Sequence, residues 1–143
     1  MPARTAHATW QGTLNEGSGS LKLGSGAYEG PFTFKSRFED GAGTNPEEMI
    51  GAAEAGCFTM ALSARLSRQG FTVNSVQTKA EVYMEKVGEG FSITRIVLNT
   101  EGNVGGIDAA TFVANAEEAK KTCIISRALN PEIELVLNAT LVG

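Results

Sequence analysis

Apolar and polar residues alternate most regularly over residues 76–85. The apolar or small members of this alternation are Val76, Thr78, Ala80, Val82 and Met84. A period of two residues is typical of a strand with one buried face. Gly88 then leads into a second apolar segment, 91–99, so we predict a long antiparallel hairpin. The alternation changes phase near Arg95 and Ile96, which predicts a bulge there.

The longest predicted helix runs from Pro46 to about Gln69. Asn45 or Thr44 can cap its first turn, and proline is favoured at the first helical position. Gly70 is a typical C-terminal stop. Small residues are frequent inside this segment, which favours close packing against another backbone.

One face of this helix is predicted to be buried. The residues that share it at helical spacing are Ile50, Ala53, Cys57, Met60, Ala61 and Ala64. A stripe at this spacing is typical of a core-facing surface. We therefore expect the Cys57 thiol on the buried side.

The remaining segments complete an α+β pattern. Short strands are predicted at 7–10, 20–23 and 31–38, a helix capped by Asp108 that runs to about 121, a short helix after Cys123, and a last strand at 133–141. Strands, a long helix, a hairpin, helices and a strand in this order predict an α+β protein with a mainly antiparallel sheet.

Composition narrows the class of protein. With 143 residues, 42% hydrophobic and 20% charged, the chain is expected to form one domain over residues 1–143. The net charge is −4 and the longest basic run is Lys120–Lys121, so no nucleic-acid partner is expected. No segment resembles a signal peptide or a membrane span, so we expect a cytoplasmic protein without a membrane partner.

The histidine and cysteine residues of the chain allow few kinds of catalytic site. The chain has one histidine, His7, which excludes a multi-histidine zinc or iron site, and no metal is expected. A hydrolase of the Cys-His type would have to use His7 as its base. Cys57 and Cys123 are expected as thiols in a reducing compartment, either as reactive groups or as buried structural residues.

A reactive Cys57 needs help to form its thiolate. Apolar burial disfavours the charged form of a thiol, and the helix start is about three turns away, too far for the helix dipole. Arg37, where the predicted strand leads into the loop, is the best candidate cation, although a solvated strand arginine would also fit its position. Glu54, three residues before Cys57, would oppose thiolate formation if it pointed at the sulfur.

Glu47 raises a geometric question. It lies ten residues before Cys57 on the same predicted helix, about 15 Å along the axis, so the two cannot touch within one helix. If both belong to one site, the carboxylate must come from a second subunit. Alternatively, Glu47 and Glu48 only stabilise the helix start.

Cys123 follows Lys120 and Lys121 near a predicted helix start. Both features favour a thiolate or a good partner in disulfide exchange. A core cysteine at a helix junction is the structural alternative.

Two segments resemble a known family. RFEDGAGTNPEEMIGAAEAGCFTMALS, from Arg37 onward, and CIISRAL, from Cys123 to Leu129, are similar to the signatures of the OsmC/Ohr family, the osmotically inducible and organic-hydroperoxide-resistance proteins. The position of Arg37 shortly before the GTNPE loop resembles the OsmC branch. The chain departs from the family pattern at Ile124, where a proline is usual, and at Glu54, where a neutral residue or histidine is usual.

The resemblance implies an antioxidant thiol peroxidase that reduces organic hydroperoxides. By this resemblance Cys57 is the peroxidatic cysteine, Cys123 its disulfide partner, Arg37 the activating cation and Glu47 the carboxylate that holds the arginine. It also implies an intertwined homodimer with shared sites, no bound cofactor, and an external dithiol reductant such as dihydrolipoamide or a lipoylated protein.

Two further expectations complete this interpretation. An apolar substrate pocket near Cys57 is expected to be lined by Met49, Ile50, Phe58 and Met60. The alternatives to a peroxidase are a redox-sensing or binding module, in which Cys57 is oxidised without turnover, and a hydrolase that pairs Cys57 with His7.

Overall fold

The computed structural model describes all 143 residues of the chain. They form two compact units, residues 1–49 and 50–143, and each is described by itself. That the chain folds as one domain stays a prediction. None of the helices combines the length and the hydrophobicity that a membrane span requires.

The first unit contains a three-stranded antiparallel sheet. Its strands are β1 (Ala6–Gln11), β2 (Ser18–Leu23) and β3 (Glu29–Phe32), in the order β1-β2-β3. The first two predicted strands are confirmed, each slightly longer than expected.

The third predicted strand is wrong beyond Phe32. The chain instead forms a short helix, α1 (Phe34–Phe38), that begins after Thr33. The Ser36 N–H donates to Thr33 Oγ1 at 3.1 Å, and the Thr33 N–H donates to Ser36 Oγ at 2.8 Å. This reciprocal capping box satisfies two backbone donors of the first turn and fixes the helix start.

The phenylalanine spacing explains why a strand was expected. Phe34 and Phe38 share one face in a strand, but they are also four residues apart and so adjacent on a helix. In α1 their ring centroids are 4.9 Å apart. Arg37 therefore projects from a helix and not from a strand.

The long helix α2 (Pro46–Arg68) has the predicted ends. The Glu48 N–H donates to Asn45 Oδ1 at 2.7 Å, which confirms Asn45 as the capping side chain. Gly70, with φ of +88°, follows the last turn and has the left-handed conformation of a C-terminal stop.

The buried face of α2 differs from the prediction. Its buried residues at helical spacing are Gly51, Glu54, Phe58, Leu62 and Leu66. Ala53 is exposed, Met60 is 75% exposed, and Cys57 is half-buried at the edge of the buried face. The large side chains orient the helix because each buried one contributes about 1.5 to 3 kcal/mol, more than an alanine can.

A three-stranded sheet is the base of the second unit. Strands β4 (Thr72–Val87) and β5 (Gly90–Gly105) form the predicted antiparallel hairpin. Tyr83 pairs with Arg95 and Met84 with Ile93, so Thr94 is the extra residue of a bulge. The predicted irregularity next to Arg95 is confirmed.

The third strand of this sheet is parallel to its neighbour. Helices α3 (Ala109–Thr122) and α4 (Ile124–Ala128) connect β5 to β6 (Glu134–Leu141), and this crossover lets β6 lie parallel to β5. Asp108 caps α3 as predicted, accepting from the Thr111 N–H at 2.7 Å. The α+β class with a mainly antiparallel arrangement is confirmed, and the single parallel pair is an addition to it.

One hydrophobic core fills the second unit. Its members are Phe58, Leu62 and Leu66 from α2, Ile96, Leu98 and Val104 from β5, Phe112, Ala116 and Ala119 from α3, and Cys123. The Cys123 sulfur is thus part of the core, at the point where α3 ends and α4 begins.

We expect Leu62→Ala to lower the free energy of unfolding by about 2 to 5 kcal/mol, because Leu62 is fully buried and the substitution leaves a cavity. Leu14→Ala is the matched control, since Leu14 is 61% exposed and its loss should change stability by less than about 0.5 kcal/mol. Urea unfolding followed by circular dichroism measures both. Equal effects of the two substitutions would contradict the assigned core.

Candidate active site

Arg37 and Glu47 form a charge-assisted pair in the first unit. Arg37 Nη2 lies 2.8 Å from Glu47 Oε1, and Arg37 Nε lies 3.1 Å from Oε1 and 3.3 Å from Oε2. The Glu47 side chain is 11% exposed and that of Arg37 is 38% exposed. Two nitrogens bound to one carboxylate fix the plane of the guanidinium, which keeps its outer edge accessible to an anion.

Hydrogen bonds around Ser36 hold the two partners in place. The Ser36 hydroxyl donates to the Thr44 carbonyl at 2.7 Å, and Asn45 Nδ2 donates to the Ser36 carbonyl at 2.9 Å. Gly43, with φ of +114°, lies so close to Pro31 that a Cβ would be 2.7 Å from its carbonyl oxygen. The loop therefore joins α1 to the start of α2 in one fixed geometry.

An apolar cavity of about 410 Å³ lies beside Arg37 in the same unit. Its lining residues are Trp10, Gly12, Leu14, Phe32, Thr33, Phe34, Arg37 and Phe38. Arg37 is the only charged side chain among them, so the cavity combines an aromatic wall with one cation.

Sequence reasoning missed this cavity. Gly19 pairs with Trp10 on one side and Phe32 on the other, and the ring centroids of these two aromatics are 5.2 Å apart. A Cβ at Gly19 would be 2.7 Å from each ring. The available signal was a glycine in a strand whose two neighbouring strands carry aromatic residues. Such a glycine marks a place where large side chains pack over a backbone position that has no side chain.

The two cysteines meet in the second unit. Both are free thiols; Cys57 is half-buried on α2, and Cys123 is 1% exposed at the α3–α4 junction. The Cys123 thiol is hydrogen-bonded to Cys57. Residues 66 positions apart in the sequence are therefore adjacent, and one sulfur is accessible while the other is enclosed.

Burial raises the pKa of the Cys123 thiol, and its hydrogen bond to Cys57 raises this pKa further. A bond that uses the thiol proton favours the protonated form. The contacts of Cys123 with the Ser126 hydroxyl and backbone act in the opposite direction and lower this pKa. The negative charge of Glu54 adds a small upward effect.

Glu54 is fully buried beside these groups. Its Oε1 accepts a hydrogen bond from the Ser126 hydroxyl, while its Oε2 is buried with no hydrogen-bond partner. Burial raises the pKa of the Glu54 carboxyl, and the Ser126 bond only partly offsets this. The sequence predicted that Glu54 lies near Cys57 but not that it is buried. Glu54 is four residues before Phe58 and so shares its helical face, which is the face that is buried.

The other predicted site residues have varied surroundings. Phe58 is a core residue and Met60 is largely exposed, while Met49 and Ile50 are half-buried. His7 is exposed on β1. The structure contains no group of three or more His, Cys, Asp or Glu side chains arranged to hold a metal ion.

Comparison with known proteins gives the family. The family model described as OsmC-like protein matches residues 39–138. The chain is 46% identical to peroxiredoxin OsmC of Escherichia coli K12 over 133 residues, covering 92% of this chain and 93% of that protein.

Solved structures have the same fold. An OsmC-like protein of unknown function from Vibrio cholerae superposes with a TM-score of 0.76 at 19% identity, covering 97% of this chain and 99% of the other. The organic hydroperoxide resistance protein OhrB of Bacillus subtilis superposes with a TM-score of 0.75 at 21% identity, covering 94% and 97%. From the family match and the Escherichia coli relative together, the chain belongs to the OsmC family.

Proposed function

We propose that this protein is a thiol peroxidase that reduces organic hydroperoxides through Cys57 and Cys123. The observation that carries the proposal is the contact between a half-buried and a buried free thiol. The name peroxiredoxin of the Escherichia coli relative and the hydroperoxide-resistance title of the Bacillus structure support the same activity.

The proposed reaction has three steps. The Cys57 thiolate attacks one peroxide oxygen, the O–O bond breaks, and the alkoxide takes a proton and leaves as an alcohol, which leaves Cys57 as a sulfenic acid. Cys123 then attacks the Cys57 sulfur; an S–S bond forms, the S–O bond breaks, and the hydroxyl leaves as water. An external dithiol such as dihydrolipoamide, alone or on a lipoylated protein, reduces the disulfide in two exchange steps, so no bound cofactor is needed.

A second copy of the chain is proposed to complete each site. Glu47 and Cys57 lie ten residues apart along one helix and cannot touch, so the Arg37–Glu47 pair is proposed to serve the Cys57 of a partner subunit. The solvent-facing side of α2 suits such a partner, because Ala52, Ala53 and Gly56 are small and Met60 is a large exposed apolar residue. An adjacent guanidinium would stabilise the Cys57 thiolate.

The aromatic cavity beside Arg37 suits the organic part of the substrate. A pocket of about 410 Å³ with one cation and a wall of Trp10, Phe32 and Phe34 has the size and chemistry for an alkyl or aryl group, with the peroxide next to the guanidinium. Hydrogen peroxide has no such group to bury, so organic hydroperoxides are the proposed substrates.

We expect Cys57→Ser to abolish consumption of cumene hydroperoxide in the presence of dihydrolipoamide, because the attacking sulfur is lost. Without a dithiol, Cys123→Ser should still consume one equivalent per chain and then stop, because its sulfenic acid has neither Cys123 nor an external thiol to condense with. The ferrous-xylenol orange assay measures both. Continued turnover by Cys57→Ser would refute the mechanism, and a single equivalent consumed by the wild type would favour the redox-sensing alternative.

Arg37→Ala should slow the alkylation of Cys57 by iodoacetamide at pH 7, followed as a time profile, by about tenfold or more, because an opposite charge nearby favours the reactive thiolate. The matched control is Arg68→Ala, since Arg68 is exposed at the end of α2. Mass spectrometry of the Cys57 peptide after timed alkylation gives the profile. A profile that is unchanged in Arg37→Ala would remove Arg37 from the site.

Two inactive variants should restore each other if sites are shared between subunits. In a heterodimer of Cys57→Ser and Arg37→Ala chains, one site receives an intact Cys57 and an intact Arg37. Statistical mixing by co-refolding should therefore give about a quarter of wild-type activity. The separate variants refolded alone are the controls, and no gain on mixing would show that each site is built from one chain.

A further inference from the structure

Glu54 is an unusual residue for its surroundings. It is fully buried in the second unit, forms no ion pair, and has one carboxyl oxygen without a hydrogen-bond partner. Burying such a group costs free energy that an apolar residue of similar size would not cost. A buried, incompletely satisfied carboxyl next to two thiols therefore suggests a chemical role.

Ser126 connects this carboxyl to the buried thiol. Its hydroxyl donates to Glu54 Oε1, and the same side chain is within hydrogen-bonding contact of Cys123. A hydroxyl can accept one proton and donate another. The three groups therefore form a continuous series from the Cys123 thiol, through the Ser126 hydroxyl, to the Glu54 carboxyl.

Cys123 needs a proton acceptor in the disulfide-forming step, when it attacks oxidised Cys57. In the reduced protein its thiol is hydrogen-bonded to Cys57. Once the Cys57 sulfur carries an oxygen or another sulfur it no longer accepts that proton, yet Cys123 must lose it to attack. The nearby lysines are engaged elsewhere, since Lys120 pairs with Glu117 and Lys121 with Glu118, each at 3.3 Å.

We propose that Glu54 and Ser126 form a proton relay that deprotonates Cys123 when it attacks oxidised Cys57. The inference rests on the proposed function for its setting and concerns only the disulfide-forming step. Glu54 acts through Ser126, so it is a positioning and proton-holding residue and does not touch the reacting sulfurs.

The atoms of this step balance. The Cys123 proton passes to Ser126 Oγ as the Ser126 proton passes to the Glu54 carboxylate, and the Cys123 sulfur forms the S–S bond with Cys57. The leaving hydroxyl takes the proton from Glu54 and departs as water, which restores the carboxylate. When a dithiol later attacks the Cys57 sulfur, the S–S bond breaks and the proton that the attacking thiol loses neutralises the departing Cys123 thiolate.

The electrostatics favour a relay over a free thiolate. The transfer moves one negative charge from Glu54 to Cys123 and adds none to the buried site, which avoids a second desolvation cost. The burial that raises the pKa of Glu54 also makes it a stronger base near neutral pH. The ionisable group on which its charge acts is Cys123 at the junction.

Cations lie on the outer side of Ser126. Ser126 lines a cavity of about 440 Å³ together with Lys120, Lys121 and Arg127. These side chains give that cavity a positive rim. Glu54 and Cys123, in contrast, are buried in the core.

The test uses 2,2′-dithiodipyridine, so it does not depend on peroxide reduction. Cys57 of the fully reduced protein displaces one thiopyridone and forms a mixed disulfide. Cys123 then attacks Cys57 and displaces the second thiopyridone. Stopped-flow absorbance separates the two phases, and only the second one requires Cys123 to lose its proton.

In Glu54→Gln the second phase at pH 7 should slow by about a hundredfold relative to the first, the usual contribution of a positioned base. Glutamine keeps the Ser126 hydrogen bond but cannot take the proton. The slowing should disappear toward pH 10, where hydroxide deprotonates Cys123 directly. Ser126→Ala should show the same pH-dependent loss, and Glu132→Gln, at an exposed position, should behave as the wild type.

Three outcomes would overturn the relay. The first is a second phase of wild-type rate in Glu54→Gln at pH 7. The second is a slowing of equal size at every pH, which would indicate a purely structural role for Glu54. The third is the absence of a second phase in the wild type. Loss of peroxidase turnover in the hydroperoxide assay leaves this test intact, so the relay and the proposed function fail separately. If Glu54→Gln does not fold, as judged by circular dichroism, the Ser126→Ala profile decides.

Discussion

The contact between the Cys57 and Cys123 sulfurs depends on how α2 is oriented in the core of the second unit. Phe58, Leu62 and Leu66 occupy that core completely, and their burial fixes the rotation of the helix. Cys57 then falls at the edge of the buried face, one residue before Phe58. Cys123 is held from the other side because its own side chain belongs to the same core. Hydrophobic packing thus sets the distance between two groups whose proposed role is chemical.

The elements with strong local signals could be predicted from the sequence. The hairpin, the caps at Asn45 and Asp108 and the stop at Gly70 follow from periodicity and side-chain chemistry that act within a few residues. The short helix α1 was missed because Phe34 and Phe38 fit two periods equally well, and the capping box of Thr33 and Ser36 decides between them. The parallel pairing of β6 was missed because local patterns do not record which neighbour a strand chooses.

The candidate site was predictable in part, for a similar reason. Cys57, Cys123, Arg37 and Glu47 were singled out by residue type and resemblance, and the structure brings them together in two pairs within separate units. Glu54 and Ser126, which are 72 positions apart, could not be paired from the sequence. The burial of Glu54 was not predicted because the buried face of α2 was assigned from a set that includes small residues. The observed orientation of α2 is set by the large residues.

Gly19 has a consequence for the range of molecules that this chain can accommodate. The missing side chain lets the rings of Trp10 and Phe32 approach each other across β2, and both rings form the wall of the aromatic cavity. The shape of that wall therefore depends on a residue that takes no part in the proposed chemistry. A Cβ at position 19 would lie 2.4 Å from the Thr9 carbonyl oxygen and 2.7 Å from each ring, so the wall of the cavity and the pairing of β1 with β2 depend together on the absence of one methyl group.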